Sequence, residues 1–317
     1  MKNVTRIVAA AGAIALVAGA STVTATAASA TTPKTFGFMP ISLQIPAMNG
    51  IWGGFQAVTG SKGYNSVIAD PNFDGATANQ QIQSWVTNKQ VDGFWVITTT
   101  PTAISSAVQA ASDAGIVSVV NGTPKDYNFS GMMKGVTFSS LPYGKVGSII
   151  GNSLASCFAK KYKGSGQVIY VQGAAGSPGD PVILASAKKA LKKMAPKVRI
   201  VATVAGNGDL ATSQTAVASA LQAHPKAVGV FGFSDEATMG AAAALKGAGV
   251  RASKTCITGE GGGDQAVAAV KAGSIYTIAK IDFASDLGQN IATLAKMAKN
   301  PAAKGTQIYT PIVTIKK

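Results

Sequence analysis

The stretch Gly93–Gly122, GFWVITTTPTAISSAVQAASDAGIVSVVNG, carries the fold in its punctuation. Gly93–Ile97 is a short apolar run that stops in three threonines and Pro101. Thr102–Ala114 reads as a helix and ends at Gly115, a residue that takes up the left-handed backbone of a C-cap without steric cost. Ile116–Val120 is a second apolar run, closed by Asn121-Gly122. Two runs too uniformly apolar to alternate, with a helix between them, form a β–α–β unit whose parallel strands are covered on both faces.

The same rhythm extends in both directions. Upstream, Thr35–Met39 leads to a helical stretch through Trp52, Phe55 and Val58; Ser66–Ala69 then leads to a helix over Ala76–Asn88. Downstream, the helices Gly144–Lys161, Pro181–Met194, Thr212–Ala223, Glu236–Gly247 and Asp264–Ala272 each precede a strand. Those strands are Gln167–Val171, Val198–Val204, Ala227–Phe231, Lys254–Thr258 and Ile275–Lys280, and a helix Asp286–Lys299 and a strand Ile308–Ile315 close the chain. The pattern predicts an α/β protein of two doubly wound parallel-sheet lobes with a cleft between them. The 317 residues suit that division, since domains of about 100–200 residues are usual.

Residues 1–30, MKNVTRIVAAAGAIALVAGASTVTATAASA, read as a signal peptide. Lys2 and Arg6 precede an apolar stretch over Ile7–Ala18, and Ala28-Ser29-Ala30 supplies the small-residue cleavage pattern. The alternative, a membrane anchor, fits less well, because that stretch is shorter than a span of about 20 residues. The expected location is the periplasm or another extracytoplasmic space. An oxidising location permits a bridge between Cys157 and Cys256, the two cysteines of the chain; two unpaired buried thiols are the alternative.

Composition excludes several functions. One histidine and two cysteines cannot build a multi-His or multi-Cys zinc site, so no metal is expected. The formal net charge of +15 invites a nucleic-acid reading. Beyond the leader, however, it rests on lysine, with Arg199 and Arg251 as the remaining arginines, and arginine is the residue that forks onto bases and phosphates. No nucleic-acid partner is expected. No G-x-S-x-G elbow occurs, and the one histidine, His224, is followed by Pro225 at a helix end. Nothing in the spacing of Asp180 and Glu260 favours glycoside hydrolysis over binding. The loop Gly259–Gly263, GEGGG, lacks the spacing of a phosphate cradle. The expectation is a protein without enzymatic activity or cofactor.

Ligands of open parallel sheets bind outside the carboxyl ends of the strands. Asp70, Asp180, Asp209, Asp235, Glu260 and Asp282 each follow an apolar run closely. They are either helix caps or the lining of a polar cleft.

Several segments, in order along the chain, resemble the periplasmic sugar-binding proteins of ABC importers, of the ribose-binding type. They are Thr35–Asn49, Asp70–Gln83, Val91–Trp95, Ala114–Val117, Gly173–Gly176, Ala223–Pro225, Phe231–Gly240 (FGFSDEATMG) and Ile257–Gly263. The resemblance implies the type I periplasmic binding fold, with three hinge crossovers near Ser139-Ser140, Ile281-Asp282 and Thr306. It places residues 31–139 and 282–305 in an N-terminal lobe, and 140–281 and 306–317 in a C-terminal lobe. It implies a monomer that captures a small molecule and delivers it to an ABC permease in the membrane; the alternative is a sensing component that presents its ligand to a receptor.

At the family's ligand-contacting positions this chain differs. The cleft asparagine falls at Ile45 beside Gln44, the two stacking aromatics at Ala47 and Met48, and the Asp-Arg pair at Asn121-Gly122. The loop arginine falls near Pro181, after Asp180; the loop asparagine is Ser234; the loop aspartate is Gly261, after Glu260; the hinge glutamine falls at Lys280 or Ile281. Candidate ligand contacts are therefore Gln44, Met48, Thr99, Asn121, Asp180, Ser234, Glu260 and Lys280. Without forked donors and flat aromatic faces at these places, the expected ligand is neutral or weakly cationic with an apolar side: a modified or deoxy sugar, a polyol or a small cyclic compound.

Overall fold

Strand β1 (Thr35–Met39), helix α1 (Pro46–Ser61), β2 (Asn65–Ile68), α2 (Gly75–Thr87), β3 (Gly93–Val96), α3 (Ser105–Asp113), β4 (Val117–Asn121) and β5 (Val136–Ser140) follow one another as the alternating pattern requires. The computed structural model describes residues 32–317 apart from 175, 176 and 178. The leader and its cleavage pattern at Ala28-Ser29-Ala30 lie outside the described residues. The chain then runs through α4 (Tyr143–Tyr162), β6 (Ser165–Gln172), α5 (Gly179–Met194), β7 (Lys197–Ala205), α6 (Leu210–Ala223), β8 (Ala227–Gly232), α7 (Asp235–Gly247), β9 (Cys256–Gly261), α8 (Asp264–Ala272) and β10 (Thr277–Ile281). It ends with α9 (Phe283–Met297), β11 (Gln307–Tyr309) and β12 (Ile312–Lys316).

Two six-stranded sheets result, in the orders β11-β5-β4-β3-β1-β2 and β12-β10-β9-β8-β6-β7. The first is parallel throughout; in the second, β12 alone runs antiparallel, against β10. The central strands are buried along most of their length, and β3 along all of it, where Gly93, Phe94, Trp95 and Val96 are all buried. Such strands cannot alternate, because helices cover both of their faces. Phe94 and Val96 pack on one side of the first sheet with Ile82, Trp85 and Val108. Trp95 packs on the other with Phe36, Phe38, Phe55, Ile291 and Leu294. The last two belong to α9, so a helix that follows the whole second sheet in sequence returns to seal the first. Each of these fully buried side chains contributes about 1.5–3 kcal/mol of apolar burial.

Three crossovers join the lobes: Leu141-Pro142, Asp282, and Thr310-Pro311. The resemblance implied the first near Ser139-Ser140 and the second near Ile281-Asp282; the connecting residues are 141–142 and 282. The third corrects the expectation. The segment from Thr306 does not enter the second lobe; β11 pairs with β5 in the first sheet, from Gln307↔Phe138 to Tyr309↔Ser140. The expected single strand Ile308–Ile315 is instead two strands broken at Thr310-Pro311. Pro311 has no N–H for a ladder and restricts the residue before it, so the strand ends there and the chain changes sheets. The crossovers are stitched side by side. Thr310 N–H donates to the Ser140 carbonyl (3.1 Å), and Asp282 N–H to the Pro311 carbonyl (2.9 Å).

Cys157 and Cys256 form a disulfide with Cα atoms 5.7 Å apart. It ties the C-terminal half of α4 to the start of β9, and both cysteines are fully buried.

Candidate ligand-binding site

The first two crossovers leave from the carboxyl ends of β5 and β10. β5 ends at Ser140, and three residues later Tyr143 begins α4 and stacks on Phe233, just beyond the end of β8 (centroids 6.4 Å apart, planes at 26°). The return path does the same. β10 ends at Ile281, and Asp282 caps α9 of the other lobe by accepting from Ser285 N–H at 3.1 Å.

On the second lobe, three of the strand-end acids converge. Asp180 lies in the first turn of α5, 8% exposed; its carboxylate accepts from the Tyr170 hydroxyl and from Gly173 N–H (3.1 Å). Burial raises its pKa, against the opposing pull of the Gly173 amide. Asp235 opens α7, and its carboxylate accepts from the amides of Gly262 (2.9 and 3.0 Å) and Gly263 (2.8 Å). The glycine loop after β9 therefore curls around a carboxylate of its own chain, and those amides are not free to cradle a phosphate. Gly261 and Gly262 make the curl with φ of 128° and 110°, and a Cβ at Gly261 would collide with the Asp235 carboxylate.

Glu260 sits between them at the end of β9. It is 7% exposed, and its Oε2 is buried with no hydrogen-bond partner. Its pKa is pushed up to about 7, first by burial, then by the charges of Asp235 and Asp180. The Tyr143 hydroxyl is raised by burial and by Glu260 beside it. Tyr143 also lies flat against Gly179, where any side chain would collide with its ring.

The other second-lobe candidates have local duties. Ser234 is the N-cap of α7, accepting from Ala237 N–H at 3.2 Å. Lys280 pairs with Gly261 in the ladder, one residue beyond the pair Ala279↔Glu260. Adjacent strand residues point to opposite faces, so Lys280 lies on the face away from Glu260. Its stem occupies the space beside Gly262.

On the first lobe, Asn121 is engaged with Thr98: Oδ1 accepts from Thr98 N–H (2.8 Å) and Nδ2 donates to the Thr98 carbonyl (2.9 Å). One N–H of its amide is left for a ligand. Gln44 donates to Asn72 Oδ1 (2.7 Å) and is exposed. Asp70 braces the same loop, accepting from Leu43 N–H (3.2 Å) and Asn72 N–H (2.9 Å). Thr99 is exposed and lines a small recess with Ile41 and Phe73. Met48 is half-buried in the first turn of α1.

The six strand-end acids thus divide. Asp209 and Asp282 are caps, Asp70 is a loop brace, and Asp180, Asp235 and Glu260 gather in the second-lobe wall. The expected lack of aromatic faces is also corrected. Phe73 is 53% exposed at the end of β2, held at φ 67° by its N–H to the Ile41 carbonyl (2.9 Å). In the second lobe Tyr143 and Phe233 form a stacked pair. None of these three occupies a position where the sequence pattern looks for a stacking ring, and Tyr143 and Phe233 are brought together by the crossover alone.

Residues 36–302 match the family described as a periplasmic binding protein domain. A comparison with curated protein sequences gave no match. Among solved structures, the chain is similar to an ABC transporter periplasmic solute-binding protein from Actinobacillus succinogenes with bound D-allose (19% identity, TM-score 0.73, 90% of this chain and 98% of that one). It is similar to an ABC transporter solute-binding protein from Mycobacterium smegmatis with bound glycerol (22%, 0.69, 90% and 95%). An arabinose-binding protein from Geobacillus stearothermophilus shares the fold at 15% identity (TM-score 0.70, 90% and 97%). With two doubly wound lobes, three crossovers and a family match over most of its length, the chain belongs to the periplasmic binding protein family.

Proposed function

We propose that this protein is an exported solute-binding protein that captures one small molecule between its lobes and hands it to the permease of an ABC importer. The observation that supports the reading is the triple crossover between the two sheets, hydrogen-bonded side by side through Thr310–Ser140 and Asp282–Pro311, an arrangement on which two lobes can hinge. The ligand class we propose is sugar-like or polyol-like with an apolar side: hydroxyls reach Asn121, Gln44 and Thr99 on one wall and the carboxylates on the other, with Phe73 and Tyr143 on the apolar side. Related structures hold D-allose, arabinose and glycerol, which supports that class. The leader over residues 1–30 supports export. We read the three clustered acids as serving binding and not turnover, since Asp180 and Asp235 are each anchored by hydrogen bonds from protein donors.

The test is a thermal-shift screen of the monomer over sugars, polyols, nucleosides and small amines, followed by calorimetry and small-angle scattering. The expected result is one site per chain, Kd at or below about 1 μM, and a smaller radius of gyration with ligand. No ligand from any class, or binding without closure, overturns the reading.

A further inference from the structure

The second-lobe wall gathers three acids, and among the described residues none of them is in an ion pair. Asp180, Asp235 and Glu260 act on one another electrostatically, from α5, α7 and the end of β9. Asp180 and Asp235 are satisfied by neutral donors, a tyrosine hydroxyl and backbone amides, which leave their charges in place. Glu260 has no donor at Oε2. Among the described residues the ion pair is Lys34–Asp92, in the other lobe, although the chain carries 28 basic residues. Lys280 belongs to the opposite sheet face. The groups facing Glu260 are Asp180 from α5, Asp235 from α7 and Tyr143 from α4, two acids and a phenol.

A buried carboxylate without a donor is costly, and two neighbouring negative charges raise that cost. Hydroxyls of a neutral ligand would satisfy the lone pair of Glu260 but leave the surplus charge. A protonated amine does both, with up to three N–H donors on one centre. We propose that the solute is cationic: a small ammonium-bearing molecule of the amino-sugar, amino-polyol or cyclic-amine class, whose ammonium sits on Glu260 between Asp180 and Asp235. This rests on the solute-binding reading above and names the ligand class of that same site.

Calorimetry with matched pairs tests it: glucosamine against glucose, galactosamine against galactose, mannosamine against mannose, and small cyclic amines against their oxygen analogues. The expected result is that amines bind and their neutral partners bind at least about tenfold more weakly. Glu260→Gln, which keeps the shape and removes the charge, should lower amine affinity by about 10- to 100-fold. Wild-type protein supplies a readout that needs no variant. Because the cation favours the ionised carboxylate, the affinity of the cyclic amines, whose ammonium groups stay protonated across the range, should rise between pH 6 and pH 8, and their binding at pH 6.5 should release a proton, measured in buffers of different ionisation enthalpy. Neutral members binding as well as amines, or unchanged amine affinity in Glu260→Gln, overturns the cationic assignment and leaves the solute-binding reading standing. No binding by either class overturns both.

Discussion

Asn121, the last residue of β4, holds Thr98 from both sides: it accepts the Thr98 N–H at 2.8 Å and donates to the Thr98 carbonyl at 2.9 Å. The side-chain amide stands in for a missing strand neighbour where β3 has already ended. It thereby fixes the loop Thr98–Thr100 at the first-lobe wall. Asn121→Ala should leave a half-buried N–H and carbonyl unpaired, lowering stability by about 1–2 kcal/mol and weakening ligand binding through the displaced loop. Denaturation midpoints, with and without ligand, measure both effects. A stable variant that loses only affinity would reassign Asn121 to direct ligand contact.

The disulfide between Cys157 and Cys256 closes a sequence separation of 99 residues inside the second lobe. Replacing both by serine should cost about 2–5 kcal/mol, chiefly by loosening the unfolded chain. Thiol titration of unreduced, unfolded protein should find none. Two reactive thiols per chain, or equal denaturation midpoints with and without reductant, contradict the bridge.

Glu260 contributes instability above neutral pH. Its folded-state pKa, about 7, lies above the unfolded carboxylate value, so the folded protein binds the extra proton between roughly pH 4.5 and 7. Stability from this group is therefore greatest at low pH and falls as pH rises through that window. Glu260→Gln should be more stable than wild type at pH 8, on the order of 3 kcal/mol, with the difference vanishing toward pH 4.5. Paired urea melts across that range provide the check, and a constant difference would place Glu260 in an ordinary polar environment.

The glycine loop offers a graded comparison. Gly261 sits at φ 128° with no room for a Cβ beside Asp235, whereas Gly263 has φ −62° and its Cβ would meet Asp235 Oδ2 at 3.2 Å. Gly261→Ala should cost about 1–3 kcal/mol and disturb ligand binding, and Gly263→Ala should cost less than 1 kcal/mol. Equal costs in denaturation experiments would mean the loop does not wrap Asp235 as described.

The chain's local patterns were enough for the two-lobe architecture, because uniformly apolar strands and capped helices are properties of short segments. The elements from Thr35 to Ser140 and from Tyr143 to Ile281 follow the rhythm read in Gly93–Gly122. The third crossover was misplaced because Gln307–Tyr309 and Ile312–Lys316 look alike as sequence. Their separation depends on which sheet edge lies open beside each, with Pro311 marking the break.

The site was legible as residue types and not as roles. Asp180 and Glu260 were visible as acids after strands, and nothing in either segment could say that Tyr170 and Gly173 satisfy the first while the second stays unpaired. Hydrogen-bond partnership is a long-range property, since Asp235 is 27 residues from the Gly262 amide it accepts from. The aromatic faces show the same limit. Phe233 lies inside the segment Phe231–Gly240 and Tyr143 in none of the quoted segments, and they meet because a crossover of two residues delivers the start of α4 to the carboxyl edge of the second sheet. Burial, unpaired charge and ring stacking are set by distances between segments, which folding alone brings together; strand and helix identity is set within each segment and could be read before it folded.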